Sequence, residues 1–380
     1  MRYQRLVSIL VCYNAGNLKY TQQNRMIDVF DFFSGCGGTS KGFELAGLDI
    51  QMAIDSDKDA ALTYRNNFPK AKFYCEDIRS FPTDSLSSFV SSRQDRPMLF
   101  CGCAPCQPFS KQKKGKNDQD NRISLLLEFL RFIQFFLPEY VFIENVPGLQ
   151  NVYGKCGPFD TFVTALKKSL YQVEFKSISS QDYGVPQKRK RLVLIASRLE
   201  YISFPDPTHG DGWINTRFTT VADKIKHLPA IEAGEVCSQD SNHRAAKLSP
   251  INLARIKATP EGGDRRHWPA QLLLKCHKDY VGHSDVYGRM RWNTPASGLT
   301  TRCISYSNGR FGHPEQNRAI SVREAACLQT FPEDFVFLGN LNSMARQIGN
   351  AVPVDVARVF GEHFLIHYQN YCKTKDSKAA

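Results

Sequence analysis

IDVFDFFSGCGGTSKGFELAGL, residues 27–48, reads as a buried strand, a glycine turn and a helix. IDVFDFF (27–33) is a continuous apolar run, SGCGG (34–38) turns the chain, and Phe43, Leu45, Ala46 and Leu48 recur at helical spacing. The same alternation continues outward. IQMAI (50–54) is a second strand ending at Asp55, residues 57–67 look helical, and KFYCEDI (72–78) is a third strand ending at Asp77. MLFCG (98–102) is a fourth strand, SLLLEFLRFIQFFL (124–137) a helix apolar almost all round and so expected to be buried, and YVFIENVPG (140–148) a strand and turn. A helix near 158–170 and the strands YQVEFKSIS and RLVLIAS (191–197) follow. This order predicts an α/β fold with a doubly wound, mostly parallel sheet, in which ligands bind beyond the carboxyl ends of the strands. Gly35, Asp55, Asp77, Cys106 and Glu144 all fall at or just past an expected strand end.

At 380 residues there is room for one large domain with a smaller one attached. A net charge of +12 favours a polyanionic partner, nucleic acid first and an anionic membrane surface second. Twelve cysteines at irregular spacing argue against a disulfide scaffold and for a reducing compartment. No apolar run approaches the ~18 residues needed to span a bilayer. LVSILVC (6–12) is too short, and lacks the cleavage site, for a signal peptide. Met26 directly precedes the first strand, which sets residues 1–25 apart as an N-terminal extension. The expected main domain is 26–203. FPDPTHGDGW reads as a linker into a region of weak periodicity, 204–320. Regularity returns at 321–370, with a helix in SVREAACLQTFP stopped by Pro332 and a turn at QIGN leading into a helix to about residue 367. Residues 371–380 read as a frayed tail.

FCGCAPCQPFS (100–110) holds Cys101, Cys103 and Cys106, with Pro105 and Pro108 stiffening the backbone and lysines following. Three readings stay open: cysteines filling a core, a metal site through the Cys103–Cys106 spacing, or a nucleophile activated by nearby cations. The remaining cysteines are scattered singly, so no metal is expected. The SGCGG turn followed by Asp55 fits a nucleotide-type cofactor, although Gly35, Gly37 and Gly38 depart from the dinucleotide pattern. Glu144 ends an apolar strand, where partial desolvation would suit a carboxyl to holding a proton. In QKRKR, Arg189 and Arg191 share one side of an extended chain while Lys188 and Lys190 share the other. Arg265, Arg266, His267, Trp268, Arg289, Arg291 and Trp292 form a basic, aromatic interleaving that suits either a solvated surface or a nucleic-acid contact.

Together these stretches resemble the DNA (cytosine-5) methyltransferases. DFFSGCGG (31–38), GCAPCQPFS (102–110), ENVPG (144–148), QDYGVPQKRKRLVLIAS (181–197), REAACLQTFP (323–332) and QIGNAVP (347–353) match that family's motifs in order. The resemblance implies a Rossmann-like methyltransferase domain returning at 321–370 and a target-recognition domain at 204–320. It implies S-adenosyl-L-methionine held by Phe33, Ser34, Gly35, Gly37, Gly38, Asp55, Ser56, Asp77, Ile78, Gly102, Asn350 and Val352. It further implies double-stranded DNA whose cytosine is flipped out, attacked at carbon 6 by Cys106, held by Glu144 and steadied by Arg189 and Arg191. Gln107, Ser110, Lys111, Lys113 and Lys114 of a closing loop, with Arg289, Arg291, Thr301 and Arg302, are its expected DNA contacts. Cys101 and Cys103 are then bystanders. A cytoplasmic, monomeric bacterial modification enzyme follows by analogy, with a cognate restriction endonuclease acting independently as an open partner. Transfer RNA as substrate, a nicotinamide-dependent oxidoreductase and a catalytically dead relative are the alternatives. The roughly hundred-residue recognition region, the glycine spacing, and the presence of nucleophile, acid and arginines oppose them in turn.

Overall fold

The computed structural model describes residues 26–93, 95–104, 124–149, 157–274 and 285–379. β1 (Asp28–Phe32) leads into α1 (Gly38–Leu45), β2 (Asp49–Ile54) into α2 (Lys58–Asn67), and β3 (Lys72–Tyr74) into the short α3 (Ser87–Ser92). β4 (Met98–Gly102), α4 (Ser124–Phe136), β5 (Tyr140–Asn145), α5 (Pro158–Lys168), β6 (Gln172–Ser179), β7 (Gln187–Lys188) and β8 (Lys190–Ser197) follow. Then come α6 (Val221–Ile225), α7 (Pro250–Lys257), β9 (Ala296–Ser297), α8 (Val322–Leu328), α9 (Leu341–Asn350) and α10 (Val354–Ala379).

Seven strands form one sheet in the order β3-β2-β1-β4-β5-β8-β6. β1 to β5 run parallel, and β8 pairs antiparallel with both β5 and β6. β1, β4 and β5 are buried at every residue because helices cover both faces. On one face Phe32 packs on Phe129 and Phe132 of α4, ring centroids 4.9 and 5.1 Å apart. On the other, Phe142 meets Phe43 of α1 and Phe360 of α10, both at 5.4 Å. The order reverses at β1, with β2 on one side and β4 on the other, and in sheets of this kind ligands bind at the carboxyl edge of such a switch point.

Among the described residues of 204–320 there are only short helices and one two-residue strand, β9, parallel to β7. Ile256, Trp268, Tyr287, Tyr306 and Ala319 make a small core of their own. Val221, Met290, Leu299 and Ile304 join a larger cluster with Tyr64, Phe68 and Phe331 from the flanking segments.

Five expectations change. The strand expected over 72–78 stops at Tyr74, so Asp77 lies three residues beyond it in the following turn. The helix 124–137 is not buried all round, since Leu127 and Phe135 are exposed. The helix in 321–332 ends at Leu328, four residues before Pro332, because Thr330 takes a left-handed backbone (φ 62°). QIGN is the last turn of α9, a helix capped by Asn340, whose side chain accepts from Ser343 N. Finally, α10 runs on to Ala379 instead of fraying from residue 371, as no glycine or proline after Gly361 interrupts it.

Candidate active site

The turn after β1 is built from backbone conformations that few side chains adopt. Phe33, Gly35 and Gly37 all have positive φ, at 57°, 53° and 97°. Gly35 N donates to Asp55 Oδ2 and Asp57 N to Asp55 Oδ1, both at 2.8 Å, so Asp55 is fixed beside the loop. Burial pushes the Asp55 carboxyl above its ordinary value, against the backbone amides of Asp57, Gly35 and Ser56 that lower it. Ser56 is exposed next to it. A Cβ on Gly38 would lie 2.5 Å from Val352 O, so the start of α1 abuts the chain after α9. Asn350, the last residue of α9, is exposed there. Phe33 packs in the apolar cluster that contains Ile78. Asp77 is half-exposed and gripped by Arg79, whose hydrogen bond holds its carboxyl below the usual range. Gly102 has a packing reason of its own, since a Cβ there would come within 2.8 Å of the Phe129 ring.

A polar cluster that the sequence reading did not single out lies beneath this loop. Asp31 Oδ2 accepts from Ser40 Oγ at 2.6 Å, and Ser40 Oγ shares a hydrogen bond with Tyr64 Oη at 2.7 Å. Asp31 Oδ1 is buried without a hydrogen-bond partner. Desolvation pushes the Asp31 carboxyl up to about 7. The sequence signal was a carboxylate in the middle of an apolar strand.

Cys106, Gln107, Ser110, Lys111, Lys113 and Lys114 lie outside the described residues. The base of their loop is tied down on two sides. Cys103 N donates to Phe32 O at 3.3 Å, and Asn145 Nδ2 donates to Ala104 O at 2.9 Å. Asn145, to which the sequence motif assigns no role, fastens the chain leaving β4 next to Glu144. Glu144 is buried at the end of β5, with Arg191 Nε 2.9 Å from its Oε1. Burial drives the thiols of Cys101 and Cys103 well above the ordinary range, so neither is a ready nucleophile. Among the described residues no group of three or more His, Cys, Asp or Glu is arranged to hold a metal.

The two arginines of QKRKR occupy different places. Arg191 faces Glu144 and stays partly exposed. Arg189 is only 4% exposed, and its guanidinium donates to Leu299 O, Gly349 O and Ala351 O at 2.8, 3.1 and 3.3 Å. Burial lowers its pKa to about 9, so it is still a cation at neutral pH. Arg289 requires a correction. It is 4% exposed and donates to Thr259 O, Ile256 O, His313 O, Gln316 O and Asn317 Oδ1, so it braces its region from within and has no donor facing DNA. Its partners lie up to 33 residues away, which local spacing does not reveal. Trp268 is buried too, donating Nε1–H to Thr259 Oγ1. Arg291, Thr301 and Arg302 are exposed.

The profile of the C-5 cytosine-specific DNA methylases matches residues 27–365. The chain belongs to that family. It is accordingly a DNA (cytosine-5)-methyltransferase by descent. M.HgiDII, a type II methylase of Herpetosiphon aurantiacus, is 39% identical over 340 residues, covering 88% of this chain and 94% of its own. M1.HphI, a type II methyltransferase of Haemophilus parahaemolyticus, is 33% identical over 361 residues, covering 94% and 91%. Among solved structures, a protein encoded within an E. coli prophage is similar with a TM-score of 0.63 at 25% identity, over 90% of this chain and 99% of that one. Spodoptera frugiperda DNMT2 shares the fold at 17% identity, with a TM-score of 0.60, over 89% and 99%.

Proposed function

We propose that this methylase transfers a methyl group to carbon 5 of cytosine within a specific double-stranded DNA sequence, as the modification enzyme of a type II restriction-modification system. Its setting is the bacterial cytoplasm, where it acts as a monomer and its restriction endonuclease acts independently. The observation that carries the reading is the pairing of Glu144 with Arg191, 2.9 Å apart, beside the Asn145 anchor of the loop that bears Cys106.

The residues after β1 fit S-adenosyl-L-methionine. A Cβ on Gly35 would meet nothing within 4 Å, so open space lies over a turn whose amide chemistry and neighbouring Asp55 suit a nucleoside. Phe33, Ser34, Gly35, Gly37, Gly38, Asp55, Ser56, Asp77, Ile78, Gly102, Asn350 and Val352 would hold it. When bound, it supplies the methyl group that carbon 5 accepts.

The target cytosine is inaccessible within the base stack and is flipped out. The Cys106 thiolate adds to carbon 6, which makes carbon 5 nucleophilic. Glu144 holds a proton at the ring nitrogen and offsets the negative charge that develops there. Arg191 keeps Glu144 oriented. Water then takes the carbon 5 proton, and the carbon 6–sulfur bond breaks with its electron pair returning to Cys106, which restores the aromatic ring and the enzyme.

Expression in a methylation-free bacterial host followed by bisulfite sequencing should reveal 5-methylcytosine at one recurring sequence. Methylation on transfer RNA but not on DNA would replace this reading. Cys106→Ser should abolish methylation while keeping S-adenosylhomocysteine binding; an active Cys106→Ser protein would rule the mechanism out.

A further inference from the structure

Arg189 sits where three segments meet. Its own segment runs into β8 and to Arg191, which faces Glu144 two residues on. Leu299 precedes the exposed Thr301 and Arg302. Gly349 and Ala351 flank Asn350, next to Val352. The guanidinium is planar and forked, so it can bind carbonyls from two segments at once, which a lysine ammonium cannot reproduce in the same geometry.

Two glutamines repeat the stitch. Gln187 Oε1 accepts from Leu299 N at 3.0 Å, so Leu299 is held through both its N–H and its C=O by residues 187 and 189. Gln187 Nε2 donates to Leu328 O, while Gln329 Nε2 donates to Ile348 O and to the same Ala351 O that Arg189 binds. No slack separates the segments. A Cβ on Gly349 would lie 2.2 Å from Thr300 O, and one on Gly298 would lie 3.4 Å from Lys188 O. Packing this close transmits displacement instead of absorbing it.

We infer that Arg189 is a positioning residue that locks the 300–302 segment, with its exposed Thr301 and Arg302, to the turn after α9, so that binding of DNA and of S-adenosylmethionine are energetically linked through it. The inference rests on the proposed function, and it separates the two arginines of one short motif. Arg191 acts at Glu144. Arg189 touches neither base nor cofactor and sets how the two sites communicate. DNA bound against Thr301 and Arg302 orders the segment that Arg189 and Gln187 hold, and the turn carrying Asn350 and Val352 is ordered with it. By reciprocity, cofactor bound at that turn tightens the grip on DNA.

The test compares wild type, Arg189→Lys and Arg191→Lys, each checked by thermal melting. Calorimetry measures S-adenosylhomocysteine affinity with and without a duplex carrying the sequence mapped for wild type. Turnover gives kcat and the KM for S-adenosylmethionine. Wild type should bind S-adenosylhomocysteine more tightly with DNA present. Arg189→Lys should lose most of that gain and raise the KM about tenfold, a typical size for coupling between sites, with the smaller effect on kcat. Arg191→Lys should do the reverse, losing kcat and keeping the linkage. If Arg189→Lys lowers kcat and leaves KM and linkage intact, or if wild type shows no linkage, the inference is overturned. If Arg189→Lys does not fold, Gln329→Met decides: it removes two donors from the same turn and should reduce the linkage, and an unchanged linkage overturns the inference. Because the linkage is read without turnover, a wild type that binds both ligands but methylates no DNA would count against the proposed function alone.

Discussion

Asp31 carries a charge problem that its neighbours only partly solve. One carboxylate oxygen has Ser40; the other is buried with no partner. Tyr64, Cys101 and Asp55 also face it, and none of them is a cation. The carboxyl titrates near 3.8 unfolded and about 7 folded. Between those values the folded state keeps a proton that the unfolded chain releases, so stability falls as pH rises through the window. Asp31→Asn should therefore raise the melting temperature more at about pH 8 than at about pH 5. A gain independent of pH would show that ionisation of Asp31 is not the cause. Glu144 is buried too, with Arg191 Nε 2.9 Å from its Oε1. Glu144→Gln should lower kcat by about a hundredfold or more while sparing S-adenosylhomocysteine affinity. Single-turnover kinetics with a parallel binding isotherm would check both. Glu144 is legible as a candidate because it stands in a motif of adjacent residues. The surroundings of Asp31 and Arg189 are not, because they depend on Ser40, Leu299 and Gly349, residues brought close only by folding.

Among the elements, α1 shows how tertiary packing reverses a local preference. Gly42 lies inside that helix, where alanine would ordinarily be better by about 0.5–1 kcal/mol. Here α1 lies so close to α10 that a Cβ on Gly42 would come within 2.4 Å of both Val354 O and Ala357 Cβ. Gly42→Ala should thus destabilise the protein, by about 1–3 kcal/mol, as overpacking typically does. Chemical denaturation gives the sign directly, and a stabilised variant would mean that the helices separate freely. Element boundaries were read less well than element types. The sequence suggested a turn at QIGN because of its glycine and asparagine, but Asn340 starts a helix that runs through them. Thr330 ended α8 early through a left-handed backbone that no propensity indicates.

Over the whole molecule, a net charge of +12 does not by itself locate a DNA surface. Arg289 and Arg189 are interior braces, and many other arginines are paired with carboxylates, as Arg318 is with Glu324 at 2.7 Å in the core. Arg291 and Arg302 are on the outside. If such exposed cations meet phosphates, duplex affinity should fall at least about tenfold between about 50 and about 200 mM salt, as counterion release requires. Fluorescence anisotropy across a salt series tests this, and an affinity indifferent to salt would contradict it. The sequence by itself determined the α/β class, the strand-end placement of Asp55 and Glu144, and the family, because each rests on short-range periodicity or on contiguous motifs. Only the tertiary structure decided which arginines face outward and which hold the interior. A buried guanidinium needs carbonyl partners, and those of Arg189 and Arg289 come from segments far along the chain, where no local pattern can announce them.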